Sequence, residues 1–521
     1  MTSSNKSQWN EAIVKDLIGK SKLNSNSEVA KFLTEKYVIK FNEDMVRNKL
    51  RRLGLSAAKN KKENKIVKNR DYFDKTQDDS KKSKNKVYLV TGIIAGCDIN
   101  KQFFKSIQWF LKDRDAKLIC LPMRGLRRDD EFSDSVLNEL SESIYTNFIF
   151  NSNLEAFDLN LHPNQILPLT GTSRLAQKKS SLIIASPKQS LETIPVANSI
   201  ISLPHILVST GALTEPFKGK TRIGMLGVND HCLGALVVEI KDDYIFHIRQ
   251  IQFINGYFCD LNKKYSPNGT EIINAEAFVL GDIHCGSEDE QAVKASWEQI
   301  DYLKPKHIFC HDLFDSRSIN HHTENNLYAR VNLPDKFKLL KSELDNLVEF
   351  LVQWTKRFPK SIFYVVESNH NLWLSKYLDQ GKFVFDHHNA RVSADLFIYR
   401  LDGFNPIQKY VESKVKLNNV IWLKQDDDFK VAGIQLAAHG HLGVSGSRGS
   451  LTGLEKAFGK CVIGHSHSPK ILRGAYQVGT ITKLKLEYNQ GHPSNWLHAS
   501  TSIYKDGQRQ MIIMVNGEWK L

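Results

Sequence analysis

Five short stretches carry residue types that bind metal ions or move protons, and each one closes an apolar run. Phe278–Val279–Leu280 opens into Gly281–Asp282–Ile283–His284, which sets a carboxylate and an imidazole two residues apart. His307 to Cys310 stops at His311–Asp312–Leu313–Phe314–Asp315, and Ile362 to Val366 stops at Glu367–Ser368–Asn369–His370. Ile434 to Ala438 ends at His439–Gly440–His441, and Cys461 to Ile463 ends at Gly464–His465–Ser466–His467. A brief β-branched or aromatic run that gives way to polar residues reads as a buried strand entering a loop. In open α/β sheets, functional groups collect at the carboxyl ends of such strands. Carboxylate and amide oxygens mixed with imidazole suit Mn²⁺, Fe or Zn²⁺, unlike the thiolates of structural zinc sites. Of the 18 histidines, 14 lie beyond residue 280, in less than half of the chain. The clustering marks that half as the chemical one.

These strand ends need elements to hold them. Asp289 to Leu303 has a helical pattern, and in Lys336 to Arg357 the apolar residues Phe337, Leu340, Leu344, Leu347, Leu351 and Trp354 recur at helical spacing, so a core-facing helix is predicted. Tyr476 to Thr480 and Trp496 to Tyr504 read as strands that complete a second sheet.

The order of motifs, D-x-H, D-x-x-D, N-H, H-G-H and G-H-x-H, resembles the calcineurin-like metallophosphoesterase superfamily over residues 275–521. The resemblance implies an α/β fold in which two mixed sheets, flanked by helices, carry two divalent metals at their strand ends. Carried across residue by residue, it implies that Asp282, His284 and His467 hold one metal, that Asn369, His439 and His465 hold the other, and that Asp312 bridges both. His370 would be the general acid. Mn²⁺ is the expected ion, with Fe, Zn²⁺ and Mg²⁺ as alternatives. Two ions about 3.5–4 Å apart can acidify a shared water and clamp phosphoryl oxygens for in-line attack, and an imidazolium can then protonate the leaving alkoxide. Asp315 reads as a support that orients a ligand imidazole. The sequence departs from the family pattern at two places: His311 stands where glycine is usual before the bridging aspartate, and Asn371 stands where an acid usually follows His370. His311 and His441 could therefore take over a neighbour's role, and His321 and His322, like His387 and His388, could reach substrate.

The remainder of the chain bears on substrate. At 521 residues, 41% hydrophobic and 25% charged, the composition is that of a globular protein of several domains. The seven cysteines are scattered and form no CxxC pair, which argues for a reducing compartment and against a disulfide framework. The polar start is no signal peptide and no run approaches a membrane span, so a cytoplasmic protein without membrane partners is expected. Residues 1–86 contain 22 Lys and Arg against 11 Asp and Glu, so +11 of the net +14 lies in the first sixth of the chain. Such an end is an electrostatic handle for a polyanion, the alternative being a solvated linker.

Within residues 1–56, Glu28 to Tyr37 after Ser27 reads as a helix. A second helix follows Asn42: Glu43 and Asp44 stand in its first turn, Arg51 and Arg52 in its last, and Gly54 beyond its end. Val46, Leu50 and Leu53 face inward, which leaves Arg47, Asn48, Arg51 and Arg52 as candidate nucleic-acid contacts in a helix-turn-helix outline. Residues 57–86 read as a basic linker. Val87 to Ile94, Lys101 to Asp113 and Lys117 to Pro122 give a β-α-β opening to a central α/β domain, 87–270. This domain lacks GxGxxG spacing and a Walker lysine, and an assembly role through homo-oligomers is its default reading. The whole arrangement is similar to phage-encoded metallophosphoesterases, a group that includes early-infection DNases. A DNA-cleaving phosphodiesterase acting in the host cytoplasm is the expectation. The alternatives are a phosphomonoesterase acting on protein or nucleotide, and a DNA-binding regulator with a decayed metal site.

Overall fold

The computed structural model describes residues 9–22, 24–55, 75–82, 84–124, 131–176, 180–197, 203–324 and 326–521. They fall into two compact units, Met1–Asp74 and Lys75–Leu521. The chain is α/β, with several mixed sheets flanked by helices and a small helical unit at its start.

The first unit consists of the helices Glu11–Ser21, Asn26–Tyr37 and Glu43–Arg52. Ile13, Leu17, Val29, Leu33, Phe41, Val46 and Leu50 form its core. The second helix begins two residues earlier than its composition suggests. Ser25, not Ser27, is the cap: its hydroxyl accepts from the Glu28 backbone N–H, and the Glu28 carboxylate accepts from the Ser25 N–H at 2.8 Å. The third helix starts at Asn42, whose side chain accepts from Met45 N. Leu53, expected in the stripe, is 40% exposed because the chain turns away at Gly54, where φ is +69°.

Most of the expected linker, residues 57–74, lies outside the described residues. Its end is not a linker. Thr76–Asp78 is an edge strand, parallel to Asn147–Asn151, and its polar residues, which gave it the look of a linker, suit a sheet edge that faces water.

In the second unit the opening β-α-β is present: Lys86–Ile94 and Lys117–Met123 pair in parallel across the helix Lys101–Arg114. Gly234–Ile240 and Phe246–Gln252 extend this sheet to four strands. A second sheet has six strands in the order Val420–Leu423, Ile362–Val366, His307–His311, Ala277–Val279, His498–Ile503, Arg509–Met514, the first four of them parallel. A third, eleven-stranded sheet starts at Thr76–Asp78 and ends with Cys461–Ile463, Ile434–Gln435 and Lys430–Val431. Strands from either side of residue 270 meet within it, where Leu191 pairs with Ile471 and Ser190 with Leu472. The central segment and the C-terminal segment thus share one core. Tyr88, Phe148, Ile183, Val279, Phe309, Val462 and Ala499 all belong to it.

Period-two alternation divides the six-stranded sheet between two cores. Val279, Phe309 and Tyr364 face the shared core, while Phe278, Ile308, Cys310 and Phe363 face the helices Glu290–Leu303 and Leu340–Arg357. Leu340, Leu344, Leu347, Leu351 and Trp354 of the longer helix are buried as their spacing predicts. The two late strands go to different sheets, Ala475–Gln477 to the eleven-stranded one and His498–Ile503 to the six-stranded one, so they do not complete a single sheet.

Candidate metal centre

The carboxyl ends of Ala277–Val279, His307–His311, Ile362–Val366, Ile434–Gln435 and Cys461–Ile463 converge, although these strands belong to two different sheets. Ligand atoms of Asp282, His284, Asp312 and His467 lie within 4.8 Å of one another, and all four residues are buried. Asp312 is the hub. Its Oδ2 lies 3.3 Å from Nε2 of His284, 3.5 Å from Nε2 of His439 and 3.7 Å from Nε2 of His370. His467 Nε2 stands 3.3 Å from Asp282 Oδ2 and 3.0 Å from His284 Nε2. On the other side, Asn369 Oδ1 lies 3.1 Å from His465 Nδ1, and the His439 and His465 rings are 5.3 Å apart. The structure therefore draws all seven expected ligands, and His370, into one constellation.

The backbone is bent to make it. His284, Asp312, His465 and His467 have φ of 47°, 52°, 80° and 60°, a region L-residues occupy at a cost of order 1–3 kcal/mol each where the surroundings impose it. Gly464 answers a tighter demand: a Cβ there would lie 2.1 Å from Asp282 Oδ1. Asp282 Oδ2 in turn accepts from the His465 N–H at 2.7 Å, so this carboxylate is seated on the Gly464–His465 backbone.

Supports surround the ligands. Asp315 Oδ1 sits 3.0 Å from Nδ1 of His284, which holds that imidazole with Nε2 turned to the centre. Asp315 also accepts from Ser287 Oγ, and Arg317 donates to Ser287 and to Glu487. Nδ1 of His370 donates to the backbone carbonyl of Asp315, leaving its Nε2 facing Asp312. The two departures from the expected pattern have structural uses. His311 is fully buried with its Nδ1 3.4 Å from Nδ1 of His439, so it backs that imidazole. Asn371 accepts from the Ser368 N–H at 2.9 Å and closes the first turn of the helix Asn369–Asp379, which presents Asn369 and His370. His441 contacts Gln425 at 3.1 Å and its ring lies 5.5 Å from that of His439.

Electrostatics separate the groups. Burial opposes ionisation of Asp312, but the imidazoles of His370, His284 and His439 outweigh it and hold the carboxyl well below its usual range. Burial, with Asp312 nearby, raises the Asp282 carboxyl above its usual range, although His439 and His284 oppose the shift. Burial also works against a charged His284, yet Asp312 and Asp315 lift it to about 9. Burial pushes His311 and His441 down to about 3 and His465 to about 4, whereas Asp312 outweighs burial at His439 and raises it. Buried polar atoms without a partner concentrate here: Asp282 Oδ1, Asp312 Oδ1, His439 Nε2 and His467 Nδ1. Unsatisfied buried oxygens and nitrogens of this donor set fit divalent cations.

His321 and His322 do not touch the expected ligands. They pack on Trp373, at 5.1 and 5.4 Å between ring centres, and Trp373 packs on His370 at 4.3 Å. His387 and His388 line a separate cavity of about 290 Å³ with Arg317, Arg330 and Lys382. Trp373 and Trp496 escape the sequence reading, since a tryptophan one helical turn after Asn369 and His370, or within a strand-like run, reads equally as core. In the helical unit Arg47, Asn48, Arg51 and Arg52 are exposed, but the Arg47 guanidinium pairs with Glu43 and Asp44 of its own helix.

Among the described residues, no helix is long and apolar enough to cross a membrane. No family model matches the chain and no solved structure matches it. It is 30% identical over 475 residues to "Protein A1" of Escherichia phage T5, an alignment spanning 83% of each chain.

Proposed function

The chain belongs to the family of protein A1 of Escherichia phage T5, and from that premise we propose that it is a phage-encoded, dinuclear-metal phosphodiesterase of the calcineurin-like type that cleaves host DNA. The observation that carries the reading is the hub at Asp312 Oδ2, ringed by three imidazole Nε2 atoms beside the unpartnered buried oxygens of Asp282 and Asp312. Asp282, His284 and His467 would hold one cation, Asn369, His439 and His465 a second, and Asp312 both. Divalent cations so bound supply an acidified water and charge stabilisation for the phosphoryl oxygens.

The chain's own groups do the rest. Asp315 fixes the ring of His284, and His311 backs His439. His370, held through Nδ1 by the Asp315 carbonyl, points Nε2 at the centre and is placed to protonate the leaving oxygen. Asn369, His370 and His465 are partly exposed while Asp282, His284, Asp312, His439 and His467 are buried, so substrate enters on the Asn369–His465 side. The basic helical unit favours a nucleic-acid diester over a small monoester.

The test uses the metal-stripped protein, with and without added Mn²⁺, on a small aryl diester, an aryl monoester, and linear and circular DNA. Mn²⁺-dependent hydrolysis of the diester together with cutting of DNA is the expected result. Monoester turnover without DNA cleavage would replace the reading by a phosphomonoesterase. Specific DNA binding without metal uptake or turnover would leave a DNA-binding regulator.

A further inference from the structure

A continuous run of rings crosses the centre: Trp373, His370, His284, His467, Trp496. Successive ring centres are 4.3, 5.0, 4.9 and 4.2 Å apart. Both tryptophans are partly exposed, unlike Trp354, which fills the helical core at 1% exposure. A tryptophan kept at the mouth of a polar, metal-binding centre leaves indole surface to solvent, an arrangement that a bound planar group would relieve. His321 and His322 stand against Trp373 at 89° and 75° to it, so three imidazoles, with that of His370, fix the position of this indole. The loop that carries these histidines also borders the cavity of about 290 Å³, whose lining mixes Arg330 and Lys382 with Glu324 and Asp386, Lys382 being paired with Glu324. Aromatic side chains with basic groups near them hold a strand whose bases are unstacked, because every base has a π-face and every linkage a negative charge.

We propose that Trp373 and Trp496 are stacking platforms for unpaired bases next to the scissile phosphate, which makes single-stranded or locally unpaired nucleic acid the substrate of this centre. The proposal rests on the nuclease reading above. Bases paired and stacked in a duplex present only their edges, so a continuous duplex cannot occupy two indole faces without unpairing.

The experiment compares the Mn²⁺-loaded wild type with Trp373→Ala, Trp496→Ala and the corresponding Phe variants, on a single-stranded oligonucleotide, the same sequence as a duplex, and a small aryl diester. The wild type is expected to cut the single strand at least about tenfold more efficiently than the duplex. Each Ala variant should raise KM for the single strand about tenfold, well beyond any change in KM for the small diester, in line with the measured worth of one base–aromatic stack. The Phe variants, which keep a ring in place, should recover most of that loss. They also give a second readout, the loss of oligonucleotide-dependent quenching of tryptophan emission. Equal cutting of single strand and duplex, with KM unmoved by the Ala variants, overturns the proposal and leaves the nuclease reading standing. Parallel loss of bound metal and small-diester turnover in the Ala variants also overturns it, since the indoles would then only brace His370 and His467. A wild type that hydrolyses the small diester but cuts no nucleic acid overturns the nuclease reading, and this proposal with it.

Discussion

Gly464 and Asp282 approach so closely that a Cβ on the glycine would lie 2.1 Å from Oδ1 of the aspartate. The φ of Gly464 is not among the positive values, so the glycine is required by contact and not by backbone conformation. Gly464→Ala should push the Asp282 carboxylate off its seat and crowd His311, whose Cβ would be 3.1 Å from the new methyl group. Overpacking of this kind costs roughly 1–3 kcal/mol. Metal analysis should show weakened uptake and thermal unfolding a lowered midpoint. Wild-type metal content in this variant would mean that Asp282 is no ligand.

Asp312 offers a sharper case. Three imidazole Nε2 atoms share its Oδ2, so, if it bridges two cations as proposed, Asp312→Ala takes a ligand from each. Both metals should be lost together. Two ions retained per variant chain would show that Asp312 does not bridge.

His370 has its Nδ1 committed to the Asp315 carbonyl, so only the imidazolium carries a proton on Nε2 for the leaving oxygen; desolvation pushes its pKa below the usual value, against the pull of Asp312 and Asp315. His370→Asn should keep bound metal and lower turnover, by about 10²–10⁴-fold where the leaving group is a poor one. Activated aryl esters, which leave without a proton, should suffer much less. Equal losses on both substrate types would remove His370 from the acid's role.

The strand ends that bring these groups together were legible because each apolar run gives way to Asp, Asn or His, the residue types of which the expected ligands are made. What was not legible is long-range. Nothing local announces that Leu191 pairs with Ile471, so the segments before and after residue 270 read as separate bodies when they share a core. Thr76–Asp78 is too polar to read as a strand, since an edge strand needs little apolar surface. Ser25 and Ser27 are equivalent caps by type, and only the reach of Glu28 decides between them. Trp373 and Trp496 look like core residues until their neighbours are known.

His247 gives the pH dependence of folding an address. It lies in the strand Phe246–Gln252, 1% exposed, with neither ring nitrogen partnered. Burial pushes its pKa down to about 4, with Glu239 and Glu518 opposing and Arg249 and Lys241 assisting. Between the unfolded value, near 6.5, and 4 the unfolded chain binds the extra proton, so stability rises with pH across that window. The contribution is fully present above 6.5 and lost as pH falls toward 4. From pH 7.5 to 4.5 the loss should be roughly 2–3 kcal/mol. Urea unfolding at both pH values should show a smaller difference in His247→Leu than in the wild type, and an unchanged difference would place the acid sensitivity elsewhere.

The N-terminal unit is where the preference for DNA is exposed to test. Residues 1–86 hold +11 of the chain's net +14, and the helix Glu43–Arg52 displays Arg51 and Arg52 while Arg47 is drawn toward Glu43 and Asp44. Each phosphate neutralised on duplex DNA contributes about −0.9 to the slope of log affinity against log salt. Deleting residues 1–74, the unit that is compact by itself, removes 17 Lys and Arg with 9 Asp and Glu, +8 of that charge, and should therefore weaken DNA binding and flatten that slope. It leaves Thr76–Asp78 in its sheet, so hydrolysis of a small diester should survive. Within the full chain, Arg51→Glu with Arg52→Glu should reproduce part of the loss. Arg47→Glu should cost less affinity than either, because its guanidinium already answers to two carboxylates, although it should destabilise the helix by the loss of those pairs, a few tenths of a kcal/mol each. Binding titrations across a salt series read all of this directly. A truncated protein that binds and cuts long DNA with the wild-type slope would make the unit a protein-docking element, and the choice of a nucleic-acid diester would then have to rest on the metal centre and its two tryptophans.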